Sequence, residues 1–98
     1  MIYRQGDVLL KKILTIPKNV KKKDKILAWG EITNHHHKFT AKQALVFADK
    51  DGKQFCDLEQ DCILEHEDHA HLTIPKGKYE VVIQREFDPL EGIRTVLD

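Results

Sequence analysis

Apolar positions in this chain fall in short runs between polar, Gly and Pro residues, and no stretch keeps a 3.6-residue apolar period. Residues 7–10 (Asp-Val-Leu-Leu) read as a first strand, extended by Ile13, Leu14 and Ile16. Pro17 has no N–H to give a ladder and ends it. Residues 17–25 form a polar, lysine-rich loop with Lys21, Lys22 and Lys23 at a solvated tip. Residues 26–33 predict a second strand with Gly30 as a bulge, and residues 35–39 a third. Residues 44–48 and 54–58 flank Asp49-Lys50-Asp51-Gly52-Lys53, and Asp-Gly between two β-rich runs signals a hairpin. Residues 62–65 and 72–74 follow, then the turn Pro75-Lys76-Gly77-Lys78. Residues 79–87 are the longest strand candidate, with Tyr79, Val81, Ile83 and Arg85 on one face and Val82 on the other. Asp88-Pro89 interrupts it, and residues 93–97 offer a last strand. The pattern predicts an all-β fold: one domain over residues 1–98, a small barrel or sandwich of short antiparallel strands.

Composition narrows the partners. A chain of 98 residues can bury only a small core, so a bound metal would be an effective staple. Lys+Arg and Asp+Glu are both 16, which argues against a general polyanion binder. The lysine cluster has no interleaved aromatic residues, which argues against nucleic acid in particular. No apolar run approaches the ~20 residues of a membrane span, and the start lacks the apolar stretch of a secretory signal. The expected location is the cytoplasm, where Cys56 and Cys62 are reduced thiols. Both read as small buried apolar residues. A sharper alternative makes Cys62, four positions before His66, a metal ligand.

Histidine supplies the candidate chemistry. All six histidines fall in two patches, His35-His36-His37 and His66, His69, His71. In a strand, His35 and His37 project to one face and His36 to the other. His69 and His71 share a face if their segment is extended, whereas His66 and His69 share one only across a helical turn or a bend. Three or four neutral imidazoles suit Zn²⁺, Ni²⁺, Fe²⁺ or Mn²⁺, and zinc is the metal expected. Glu67 and Asp68 lie inside the second patch, as oxygen ligands or as acceptors that orient a ring N–H. Either patch alone reads as solvated loop histidines. Their joint occurrence, with no other histidine in the chain, favours a site.

Enzyme motifs are absent. His66-Glu67-Asp68-His69 is one residue short of His-Glu-x-x-His. There is no Gly-x-Ser-x-Gly elbow, no P-loop and no zinc-deaminase pattern. Hydrolysis with Glu67 as general base is chemistry the residues permit without a motif behind it.

The segments Tyr3-Arg4-Gln5-Gly6-Asp7-Val8-Leu9, Gly30-Glu31-Ile32-Thr33-Asn34-His35-His36-His37, His66-Glu67-Asp68-His69, Ile74-Pro75-Lys76-Gly77-Lys78-Tyr79-Glu80-Val81 and Gln84-Arg85-Glu86-Phe87 span most of the chain. Together they resemble a family of small proteins in phage and bacterial genomes. Its members carry Tyr-Arg-Gln-Gly-Asp, Gly-Glu-Val-Thr-Gly-His-x-His, His-Glu-Glu-His, Pro-x-Gly-x-Tyr and Gln-Arg-Glu-Tyr segments. The resemblance brings no reaction with it, but it ranks the histidines. His35, His37, His66, Glu67 and His69 match the pattern, His36 falls on a variable position, and His71 stands where proline is usual. The implied metal site is His35, His37, His66 and His69. A weaker resemblance is to cupins, through His-x-His and Pro-x-Gly, although Ala41 and Lys42 stand where the cupin glutamate belongs. Three functions follow as expectations. The first is a cytosolic phage-type protein binding a divalent metal. The second is a module that binds a host or phage protein, such as an inhibitor of a host defence system. The third is a metal-dependent hydrolase using Glu67.

Overall fold

A computed structural model of the chain describes residues 1–29, 36–84, 87–88 and 92–93. Every described element is a strand: β1 (Ile2–Gln5), β2 (Val8–Ile13), β3 (Lys21–Lys23), β4 (Ile26–Trp29), β5 (His36–Phe39), β6 (Ala44–Ala48), β7 (Gln54–Leu58), β8 (Cys62–Glu65), β9 (Leu72–Ile74), β10 (Gly77–Ile83), β11 (Phe87–Asp88) and β12 (Gly92–Ile93). They form a six-stranded sheet in the order β1-β2-β10-β7-β6-β3, a four-stranded sheet in the order β4-β5-β8-β9, and the pair β11-β12. All pairings are antiparallel. Each larger sheet has two edges, so the architecture is a sandwich and not a closed barrel. No helix among the described residues is long and apolar enough to cross a membrane.

Strand alternation builds the core. Val8 and Leu10, Ala44 and Val46, Cys56 and Leu58, and Tyr79 and Val81 face inward from the larger sheet. Phe39, Cys62, Leu64 and Ile74 meet them from the smaller one. On β4 the register with β5 slips between Ile26 and Ala28, and the consecutive residues Leu27 and Ala28 are both buried. A bulge has this effect, turning two neighbours toward one side. Gln54 of β7 donates to the Leu27 carbonyl at 2.7 Å and so ties the sheets together beside that irregularity.

Strands β6, β7, β8 and β9 have the bounds read from sequence. Three differences stand out. Residues 2–5 form a strand that the sequence reading left out, joined to β2 by the Gly6-Asp7 turn. Lys21–Lys23, expected as a loop tip, is β3, paired with β6 at the sheet edge. Charged side chains suit an edge, where they discourage pairing with another chain. The long strand ends at Ile83, with β11 beginning at Phe87. Gly30 as a bulge, Arg85, Glu86 and the strand over residues 94–97 lie outside the described residues.

Candidate metal centre

The site forms where two loops and one strand meet at an end of the sandwich. His37 is the second residue of β5, and alternation along that strand turns it inward, to 3% exposure, while His36 is half-buried. The chain bends between β8 and β9. There the His66 Nδ1 atom accepts the N–H groups of Asp68 at 3.0 Å and His69 at 3.3 Å. This bend, and not extended backbone, brings His69 back beside His66. Ring centroids lie 4.3 Å apart for His37 and His66, 4.6 Å for His66 and His69, and 5.7 Å for His37 and His69. One ring nitrogen from each of the three lies within 4.8 Å of the others.

The turn between β1 and β2 closes over this group from the other sheet. Gln5 and His37 are the buried polar residues among those described, at 4% and 3% exposure, and they bond to each other at 2.9 Å. The Gln5 Nε2 donates to the carbonyls of Leu64 and Ala70, both at 2.9 Å. That fixes the amide orientation: Oε1 faces His37 and can only accept. His37 must therefore carry its proton on Nδ1, which leaves a lone pair on Nε2. Asp7 Oδ1 lies 3.3 Å from that Nε2. Gly6, between them, has φ 59, and a Cβ there would fall 2.5 Å from His69 Nε2. The position requires glycine for both reasons, positive φ and the imidazole against its Cα. The turn is held from behind as well, because the Asp7 carbonyl accepts the Gln84 N–H at 2.8 Å.

Electrostatics favour a neutral ring at the centre. Burial, together with His66 and His69, pulls the His37 pKa from 6.5 down to about 4, against an opposing pull from Asp7. The pocket thus sets the His37 Nε2 lone pair beside the His66 and His69 rings and the Asp7 side chain, residue types that ligate divalent transition metals. His66 sets a condition on any such use. Its Nδ1 is occupied by two backbone N–H groups, so ligation through Nδ1 competes with them. Ligation through Nε2 needs the proton moved to Nδ1, which faces the same two donors. Either route rearranges the bend.

Glu67, His71 and Cys62 lie outside the clustered ligands. Glu67 accepts the His36 N–H at 2.8 Å and approaches the His36 ring at 3.7 Å. The His36 N–H holds its carboxyl below the ordinary range. Its carboxylate thus tethers the start of β5. His71 is exposed and outside the triad. Cys62 is a core residue whose thiol donates to the Gln60 carbonyl at 3.2 Å, and it is not one of the clustered ligands. Burial raises both thiols, that of Cys56 to about 12, which leaves them unreactive. His35 lies outside the described residues. Gln5, Gly6 and Asp7 had no site role in the sequence reading. The only signal for them was their place in the Tyr-Arg-Gln-Gly-Asp segment.

Residues 4–84 match the domain family described as Domain of unknown function (DUF8820). The chain belongs to that family. The matched span of this DUF8820 member contains the whole centre, from Gln5 to His69. No curated protein and no solved structure matches the chain.

Proposed function

We propose that this domain binds one divalent transition metal, zinc by its ligand chemistry, through His37, His66 and His69. The observation that carries the reading is the convergence of three imidazoles from separate segments to within 4.8 Å, around a ring whose tautomer is fixed by a buried amide. An isolated buried histidine needs one hydrogen-bond partner. Here Gln5 satisfies Nδ1 and leaves Nε2 directed at further donors. A partner on the far nitrogen that orients a ligating imidazole is a recurrent feature of metal sites.

The role is structural. The domain is small, Glu67 is engaged with the start of β5, and the centre lies where the two sheets meet, so a metal there acts as a staple. The test is metal analysis of untagged protein with thermal melting in zinc and in chelator. One equivalent of metal and a melting point raised by zinc are expected. Protein that carries no metal, takes up none and melts identically in both would remove the proposal.

A further inference from the structure

The three histidines all belong to the smaller sheet and its β8–β9 connection, and three imidazoles leave a tetrahedral ion one ligand short. We infer that Asp7, on the β1–β2 turn of the opposite sheet, is the fourth ligand, so that the metal clamps the two sheets together. This rests on the metal-binding reading above.

Two contacts bracket the position. Asp7 Oδ1 is 3.3 Å from His37 Nε2. Ligand atoms about 2.1 Å from a tetrahedral ion are separated by roughly 3.4 Å, so the spacing is that of two neighbouring ligands. On the other side, Gly6 lies against the His69 ring, so the turn already spans the triad from His37 to His69. The carboxylate is not within 4.8 Å of all three imidazole nitrogens, so the ion would draw it inward. Its side chain is 30% exposed, which leaves room for that movement. The backbone beneath it is fixed by the Gln84 N–H at the Asp7 carbonyl. The chemistry also fits. The His37 lone pair on Nε2 faces a carboxylate oxygen 3.3 Å away, and both are atom types that bond a shared cation. The resulting set is three histidines and one aspartate.

The experiment compares the full chain with Asp7→Asn and Asp7→Ala. Zn²⁺ affinity is measured by competition with a chromophoric chelator, and Co²⁺ absorption reports the coordination sphere. Asparagine is well tolerated in turns, so Asp7→Asn preserves the hairpin, and a metal-free melt checks this. Zn²⁺ affinity should fall roughly ten- to a hundredfold in both Asp7 variants, with the visible Co²⁺ bands shifted. If the unmodified chain binds Zn²⁺ and both Asp7 variants match it in affinity and spectrum, the assignment of Asp7 is overturned and the histidine site stands. If the unmodified chain binds neither ion, the histidine site itself is overturned, and the assignment of Asp7 falls with it.

Discussion

Two parts of the interior are built on opposite terms. Between the sheets, Val8, Leu10, Val46, Leu58, Leu64 and Ile74 are buried to 1% exposure or less. Their contribution comes from area withdrawn from water and close packing, and it needs no particular geometry beyond shape. At the corner, Gln5 and His37 are almost as deeply buried, yet burial opposes each of them. They persist only because every polar atom of Gln5 is directed to a named partner. The difference shows where the chain buries polar groups at a cost that packing alone does not offset. A fold of this size gains nothing in packing from a buried amide and imidazole that apolar residues of similar volume would not supply.

The comparison breaks most severely at its apolar side. Leu10→Ala should cost about 2–5 kcal/mol, because it empties a space that both sheets line. Urea denaturation should find the same loss at pH 7.5 and pH 5, with or without zinc. A loss that varied with metal would mean that core and corner are not separable.

At the corner, Gln5→Leu keeps the volume and removes the bonds. It leaves the Leu64 and Ala70 carbonyls and the His37 N–H without their amide partner, for an expected cost of about 3 kcal/mol. Unlike the core variant, it should also weaken zinc binding roughly ten- to a hundredfold, because the His37 ring loses the contact that fixes its tautomer. Calorimetric titration with Zn²⁺ separates the two effects. Equal zinc affinity in Gln5→Leu would reduce Gln5 to a structural tie.

The pH dependence of the metal-free protein is the next lever. Unfolded His37 takes a proton below pH 6.5, while the folded ring resists it down to about 4. Between those values the unfolded state binds more protons, so stability rises with pH. The contribution is complete above pH 6.5 and is lost as the pH falls to about 4, amounting to no more than roughly 3 kcal/mol. Denaturation in chelator across that window should show the slope. Leu10→Ala should retain it and His37→Gln should flatten it.

The core strands were legible in the sequence because short apolar runs bounded by turn residues mark them. Residues 44–48, 54–58, 62–65 and 72–74 are such runs, and their strands have those bounds. Strand β3 was illegible because its three lysines carry no apolar signal, and an edge position is what tolerates them. Strand β1 was missed because Arg4 and Gln5 read as polar, although Gly6-Asp7 lies between it and β2. The corner was half-legible. The inward turn of His37 and the outward turn of His36 follow from alternation. The meeting of His66 with His69 depends on a bend that one side chain makes with its own backbone. The roles of Gln5, Gly6 and Asp7 depend on tertiary packing across the two sheets, which no local pattern encodes.

Within the corner, the bend offers a sharper reading than stability does. If zinc takes a nitrogen of His66, the Asp68 and His69 N–H groups lose or exchange their acceptor. Their amide resonances should move on zinc addition, in a nitrogen-15 correlation spectrum, far more than those of Val46 or Leu58 in the core. Unmoved amides together with bound zinc would mean that the ion is held by the other ligands alone.

The smallest effect is expected just outside the triad. Glu67 stands between His66 and His69 in sequence and resembles a catalytic or ligating residue. Its carboxylate instead meets the His36 N–H at the exposed start of β5. Glutamine in its place keeps a carbonyl oxygen for that N–H. Glu67→Gln should therefore leave zinc stoichiometry and affinity unchanged and move the melting point little. The comparison with Gln5→Leu is then direct. Both changes concern one side-chain oxygen beside a histidine, one buried against His37 Nδ1 and the other on the rim. If Glu67→Gln weakened zinc binding as much as Gln5→Leu, the centre would have to be redrawn to include the rim, and burial would no longer distinguish the residues proposed to hold the metal from those that hold the strand.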